Sequence, residues 1–137
     1  RSGEAFAVIM ADINDFKLVN DRYGHSAGDR LLHGIAYRLR DAVREADFAG
    51  RLGGDEFLII ARPVASQEAL DQVISRLRTR MEGAFAIPGG SFDVKVSIGA
   101  VLSDAGGETA DQLLGAADAE MYRDKARMVS ESRRGMA

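Results

Sequence analysis

The hydrophobic positions of the chain follow two periods, one typical of helices and the other typical of strands. In three long segments, apolar residues recur at spacings of three and four, which predicts three amphipathic helices. These helices cover about 27–45, 67–81 and 109–127. We expect Ser26 to cap the first of them, with Asp29 forming the other half of an acidic capping box.

Strands are predicted where apolar residues are continuous or alternate with polar ones. Ala5–Ala11 is a continuous apolar run, typical of a strand buried on both faces in the middle of a sheet. Asp12 follows directly, at the carboxyl end of this strand. Asp47–Leu52 and Glu56–Ala61 predict two further strands, joined by a tight hairpin at Gly53-Gly54.

The remaining segments complete a mixed pattern. Ile13–Asp21 predicts a helix of one or two turns, and Asp93–Val101 alternates polar and apolar residues as a half-buried strand should. The predicted order is β-α-α-β-β-α-β-β-α, in which strands and helices do not alternate strictly. This order indicates an α+β fold with a mainly antiparallel central sheet flanked by helices. In such a ferredoxin-like arrangement the first and third strands are neighbours.

Composition limits the possible functions. The chain has 137 residues, of which 46% are hydrophobic and 28% charged, as in one ordinary globular domain over 1–137 with a frayed polar tail from about 128. It has no cysteine and 2 histidines, so any metal should be a hard cation held by carboxylates. The net charge of −3 argues against a nucleic-acid-binding domain. No apolar run approaches the ~20 residues of a membrane span, and we expect a cytoplasmic domain, cut from a longer protein, that makes no membrane contact.

Three carboxylates are candidates for chemistry. Asp12 ends the central strand, and Asp55 and Glu56 follow the Gly-Gly turn of the neighbouring hairpin. Clustered carboxylates call for a cation, and one or two Mg²⁺ ions would suit nucleotidyl transfer. The helix after Asp12, with Lys17, could receive phosphates at its N-terminus. A solvated turn with unrelated surface acids is the alternative that spacing alone leaves open.

Several motifs, in one order along the chain, resemble the GGDEF domain of diguanylate cyclases, which condense two GTP into cyclic di-GMP. The resemblance runs from about Phe6 to about Lys125. It is carried by six matching stretches: Asp12-Ile13-Asn14-Asp15-Phe16-Lys17, Asn20-Asp21-Arg22-Tyr23-Gly24-His25, Gly28-Asp29, Arg51-Leu52-Gly53-Gly54-Asp55-Glu56-Phe57, Ser97-Ile98-Gly99, and Ala117-Asp118 with Met121-Tyr122 and Lys125. It implies a nucleotidyl-cyclase palm-like fold and a homodimer in which each protomer binds one GTP.

The resemblance also implies roles for individual residues. Metal ligands, for Mg²⁺ or Mn²⁺, would be Asp12, the Ile13 carbonyl, Asp55 and Glu56. Asn20 and Asp29 would bind the guanine edge and so select GTP, because a carboxylate accepts from N1–H and the 2-amino group that adenine lacks. This pair also counts against a cyclase for another nucleotide.

Phosphate binding and proton transfer are implied for a second set. Phe16 and the catalytic Lys17 would face the triphosphate, and Lys125 would neutralise phosphate charge. Gly53 and Gly54 would leave room for the nucleotide, and either Asp55 or Glu56 would deprotonate the attacking 3′-hydroxyl.

An inhibitory product site is implied as well. Arg44-Glu45-Ala46-Asp47 has the family's Arg-x-x-Asp spacing ahead of the Gly-Gly turn, and Arg76 is our choice to complete it. Two features depart from the family pattern: Val129 replaces a phosphate-contacting arginine, for which Arg127 is a possible substitute, and an upstream Asp-x-Leu-Thr segment is absent. The alternative function is therefore a sensor that binds GTP or cyclic di-GMP without turnover.

Overall fold

A computed structural model describes residues 4–103 and 106–135 of the chain. Strands and helices follow one another in the order β1 (Phe6–Ile13), α1 (Phe16–Tyr23), α2 (His25–Ala42), β2 (Phe48–Gly53), β3 (Glu56–Ala61), α3 (Gln67–Met81), β4 (Gly83–Ile87), β5 (Gly90–Val94), β6 (Val96–Ser103) and α4 (Ala110–Gly135).

The central sheet has the order β2-β3-β1-β6, and every neighbouring pair is antiparallel. β1 lies in the interior of the sheet, as its continuous apolar run predicts, and β3 is its neighbour. The predicted α+β fold with a mainly antiparallel sheet is therefore confirmed. β4 and β5 form a separate hairpin.

The two faces of β1 pack against different helices. Ala7, Ile9 and Ala11 belong to the larger core, which includes buried residues of α2 and α3. Val8 and Met10 belong to a smaller core with α4 residues. Because side chains alternate across a strand, Asp12 continues the α4 face of β1.

α4 lies unusually close to β6. A Cβ atom added at Gly99 would lie 2.0 Å from the backbone N of Met121 and 2.2 Å from the carbonyl O of Ala117. Only a residue without a side chain permits this approach. The contact sets the position of α4 along the sheet, and therefore the position of every side chain that α4 presents to β1.

Two helix ends differ from the sequence-based expectation. α2 begins at His25, with Gly24 at the N-cap position and a φ of 90°, so Ser26 lies inside the helix and the predicted Ser26–Asp29 capping box is wrong. The N–H of Gly28 already bonds to the Gly24 carbonyl at 3.2 Å. At the other end of the chain, α4 continues through Gly135, whereas the sequence predicts a frayed tail over 128–137. Residues 136–137 lie outside the described part.

The strands before α4 also differ. Three strands, not the two of the predicted order, lie between α3 and α4. Asp93 and Val94 end β5, and β6, an edge strand of the central sheet, begins only at Val96. The first half of β6 is buried without alternation because α4 covers one face and the larger core the other. The start of α4 agrees with expectation, since Thr109 and Gln112 bond each other's backbone N–H groups in a capping box.

Candidate active site

Asp12 is a buried carboxylate at the end of the central strand. Its Oδ2 accepts a hydrogen bond from Lys125 Nζ at 2.8 Å. The two residues meet because Asp12 faces α4 and because Gly99 lets that helix approach the sheet. The pKa of Lys125 is raised, chiefly by its hydrogen bond to Asp12 and further by the charges of nearby carboxylates.

The second carboxylate oxygen of Asp12, Oδ1, is the clearest indication that this site can bind a ligand. Oδ1 is buried, and within the described residues no amide, hydroxyl or amine donor reaches it. Asp55 lies beside Asp12, and its backbone carbonyl accepts a hydrogen bond from the Ile13 N–H at 3.2 Å. Burial and the neighbouring Asp12 carboxylate together raise the pKa of Asp55 to about 6, with burial the larger cause. An unsatisfied carboxylate oxygen beside a second carboxylate is a suitable donor set for a hard cation.

Glu56 is the third carboxylate of this end of the sheet. It is the register partner of Asp12 in the β1–β3 ladder, and directly opposed residues of an antiparallel pair share a face. Across the described ranges 4–103 and 106–135, no three His, Asp or Glu side chains form a ready metal cage. Lys125 supplies a positive charge beside Asp12.

The Gly53-Gly54 turn is open. Gly54 has a φ of 52°, which glycine adopts without strain, and a bulge in the β2–β3 ladder falls at this end of β2. In the part of the chain that the structure describes, no atom lies within 4 Å of where a Cβ of either glycine would stand. A ligand can therefore approach the backbone next to Asp55.

The raised pKa of Asp55 predicts a pH-dependent stability of the metal-free protein. Because the folded-state pKa exceeds the unfolded one, the unfolded chain binds fewer protons between about pH 4 and pH 6, and stability falls as pH rises through this window. Asp55→Asn should therefore stabilise the protein at pH 8 by about 1 kcal/mol, a figure reduced for the partial exposure of the group. Thermal unfolding in EDTA at pH 4 and pH 8 measures this. An equal difference at both pH values would contradict it.

The predicted guanine-binding residues meet where α1 contacts α2. A Cβ at Gly28 would lie 1.9 Å from Asn20 Oδ1 and 3.2 Å from Phe16 Cζ, so both side chains rest against Gly28. Asp29, the next residue, is exposed at the same place. The structure thus brings Asn20, Phe16 and Asp29 to one surface, and glycine at position 28 makes room for the first two.

The turn between β1 and α1 is held by hydrogen bonds among Asn14, Lys95 and Ser97. The Asn14 N–H donates to the Lys95 carbonyl at 2.8 Å, and Ser97 Oγ donates to Asn14 Oδ1 at 2.7 Å. Asp15 occupies the N-cap position of α1 with a φ of 60°, but its side chain caps no N–H group of that helix. Lys17 is exposed in the first turn. The Ser97-Ile98-Gly99 motif was the available signal for this anchoring.

Arg44 and Asp47 form a closed pair. Asp47, whose side chain is 1% exposed, accepts hydrogen bonds from the Arg44 N–H at 2.9 Å, the Arg62 N–H at 3.1 Å and the Arg44 guanidinium. Arg76 has a different partner: its Nε donates to the Ala42 carbonyl at the end of α2, two residues before Arg44, at 2.8 Å. The Arg44 side chain is 48% exposed, and Arg44 and Asp47 both line a groove of about 500 Å³ between α2 and β2.

Asp124 and Arg127 belong to a network at the free edge of β6. The buried Asp124 carboxylate accepts from the Ile98 N–H at 2.8 Å, from Arg78 at 3.1 Å and from Arg127. Arg78 also donates to the Val96 carbonyl at 2.7 Å. These side chains satisfy edge groups that the sheet leaves unpaired. Arg127 is thus paired with Asp124 on the side of α4 that faces α3.

Comparison with known proteins identifies relatives along nearly the whole chain. A family model described as "Diguanylate cyclase, GGDEF domain" matches residues 1–131. The diguanylate cyclase TpbB of Pseudomonas aeruginosa is 38% identical over 132 residues, which are 96% of this chain and 30% of that protein. An uncharacterized signaling protein of Caulobacter vibrioides is 39% identical over 98% of this chain and 16% of its own length. The chain therefore spans less than a third of these two relatives.

Solved structures show the same fold. The crystal structure of the GGDEF domain of TpbB superposes with a TM-score of 0.84, at 36% identity, over 90% of this chain and 78% of that one. The GGDEF domain of DgcB from Caulobacter crescentus, in complex with cyclic di-GMP, gives a TM-score of 0.80 at 26% identity over 90% of this chain and 74% of that one.

Proposed function

Because this chain belongs to the GGDEF domain family, we propose that it is a diguanylate cyclase domain, which condenses two GTP into cyclic di-GMP and releases two pyrophosphates. The observation that carries the proposal is the buried Asp12 carboxylate, with one oxygen unpartnered, beside Asp55 and opposite Glu56 in the ladder. A hard cation is the ligand that such an oxygen set favours.

The metal would be Mg²⁺ or Mn²⁺, held by the carboxylates of Asp12, Asp55 and Glu56 and by the Ile13 carbonyl. When bound, it neutralises phosphate charge and polarises the reacting phosphoryl group. Lys125, which is paired with Asp12, lies beside this metal site and has a long flexible side chain. It would exchange this carboxylate for a phosphate oxygen once the substrate is present.

The nucleotide would lie between the open glycine turn and α1. Asn20 and Asp29 would bind the guanine edge, and the Phe16 ring, held against Gly28 with Asn20, would fix the position of that amide. Lys17, exposed in the first turn of α1, would bind the triphosphate next to the helix N-terminus. Gly53 and Gly54 would admit the ligand next to Asp55.

Each protomer supplies half of the reaction. In a homodimer, the 3′-oxygen of one GTP forms a bond to the α-phosphorus of the other, the phosphoanhydride bond between that α-phosphorus and the bridging α–β oxygen breaks, and pyrophosphate leaves. The 3′-hydroxyl proton passes to Asp55 or Glu56. The second condensation repeats this step in the opposite direction and closes the ring. The domain would carry out this reaction in the cytoplasm, where GTP is available.

Product feedback is a second part of the proposal. The groove beside Arg44 is also lined by Arg40, Arg51 and the exposed Phe48, a combination of cations and an aromatic ring that suits a cyclic dinucleotide. Asp47 is already saturated, so product would engage Arg44 first. Asp47 would have to give up Arg44 before it could pair with guanine, and Arg76 would have to leave the Ala42 carbonyl.

The proposal is tested by incubating the protein with GTP and Mg²⁺ and measuring cyclic di-GMP by chromatography. We expect product, and a rate per protomer that rises with protein concentration because two protomers must meet. EDTA should stop the reaction. No product across a wide range of protein concentrations would overturn the proposed activity.

A non-catalytic sensor is the second candidate. Val129 in the position of a family arginine, together with the engaged Lys125, favours it. Calorimetry with GTP and with cyclic di-GMP separates the two, since a sensor binds at least one of them while the assay yields no product.

For the described residues, no helix is both long and apolar enough to cross a membrane.

A further inference from the structure

A cavity of about 440 Å³ lies next to Lys125, and two of the residues that line it, Lys95 and Arg133, have no role among the contacts that resemblance to the family implies. Its walls come from the turn after β1, the start of β6 and the last turns of α4. The side chains that give it its charge are Lys95, Lys125 and Arg133 against Asp15. Three positively charged side chains and one carboxylate give the cavity a net positive charge, which favours an anionic ligand.

The last turns of α4 form one wall of this cavity. Because α4 stays helical through Gly135, Arg133 lies just over two turns beyond Lys125, rotated by about 80° around the helix axis. Long side chains of a helix lean back toward its N-terminus, so Arg133 leans toward the Lys125 end of the cavity. Val129, between them, lines the same cavity without charge.

In this structure Arg127 cannot contribute its positive charge to the cavity beside Lys125. It is paired with Asp124, whose carboxylate is fixed by the Ile98 N–H and by Arg78. It lines a different groove, between α3 and α4. Arg133 and Lys95, in contrast, are exposed and have no ion pair among the described residues. The Lys95 backbone is fixed to the cavity by the hydrogen bond from Asn14.

We propose that Arg133 and Lys95 form, with Lys125, the binding site for the outer phosphates of the nucleotide, so that Arg133 replaces the arginine missing at Val129. This inference rests on the proposed function and deepens it by assigning two residues to the triphosphate. Asp15 limits the positive charge of the site, and the exposed rims of Lys95 and Arg133 leave it open to incoming nucleotide.

The test compares Arg133→Gln with Arg134→Gln, which removes the same charge from the next residue of the same helix. Arg134 is exposed and is absent from the cavity lining. GTP, GMP and inorganic tripolyphosphate, each with Mg²⁺, are titrated by calorimetry. Loss of one charge-assisted contact to phosphate should weaken GTP and tripolyphosphate binding about tenfold in Arg133→Gln, while GMP affinity changes less than twofold. Arg134→Gln should bind all three as the unaltered protein does.

A rescue variant makes the test independent of folding defects. Val129→Arg combined with Arg133→Gln should restore GTP affinity to within about twofold, because both positions line one cavity. Equal GTP affinity of Arg133→Gln and Arg134→Gln would overturn the inference, as would no binding of either GTP or tripolyphosphate by the unaltered protein. If these binding differences are observed while no cyclic di-GMP forms, the phosphate site stands and the cyclase proposal alone fails.

Discussion

Asp12→Asn should lower the rate of cyclic di-GMP formation by about 1,000-fold or more, which corresponds to about 4 kcal/mol of transition-state stabilisation. The substitution keeps the shape of the side chain but removes the charge that would hold the cation. It also takes from Lys125 its ion-pair partner. The fold should persist, because the change relieves the repulsion between Asp12 and Asp55 that contributes to the raised pKa of Asp55.

The matched control is Asp41→Asn, since Asp41 is exposed on α2 and pairs only with Arg80 among the described residues. Its rate should stay within about twofold of that of the unaltered protein, because a surface ion pair contributes little. Both variants are assayed for product by chromatography and for folding by thermal unfolding. A folded Asp12→Asn protein that keeps a tenth of the activity would exclude Asp12 from an essential role in metal binding.

Gly99→Ala should destabilise the protein by about 2–4 kcal/mol, equivalent to roughly 10 °C in melting temperature for a domain of this size. The added methyl group would stand 2.0 Å from the Met121 backbone N and 2.2 Å from the Ala117 carbonyl O. Backbone atoms cannot turn aside as a side chain would, so α4 must move away from β6. Because α4 carries Lys125, this movement should also lower activity.

Gly115→Ala is the control in the same helix. No described atom lies within 4 Å of the new Cβ at that position, and alanine is the better helix former by roughly 0.5–1 kcal/mol. The two glycine-to-alanine changes should therefore shift the melting temperature in opposite directions, as thermal unfolding by circular dichroism would record. A Gly99→Ala protein as stable as the unaltered one would show that the close approach of α4 does not constrain the fold.

Much of the fold could be read from the sequence because it depends on local pattern. The continuous apolar run of β1 predicted an interior strand, and the Gly53-Gly54 pair predicted a hairpin beside it; the sheet order confirms both. The bounds of α3 were predicted to the residue, since its apolar stripe is regular and Ser66 caps it. Ser26 failed as a cap because Gly24, with its positive φ, ends α1 and starts α2 at once.

The site could be predicted from the sequence only in part. The ordered motifs identified the family, and the continuous apolar run of β1 put Asp12 at the end of a central strand. The sequence therefore indicated which residues could bind a metal or the substrate. It could do so because the periods of strands and helices depend only on neighbouring positions.

Only the tertiary structure decided which side chains meet. The Asp12–Lys125 ion pair joins residues 113 positions apart, and it depends on the register between β6 and α4 that Gly99 permits. The same register pairs Arg127 with Asp124, and the continuation of α4 brings Arg133 to the cavity beside Lys125. Such contacts depend on how elements pack against one another, and packing is fixed by distances across the core that no local pattern encodes.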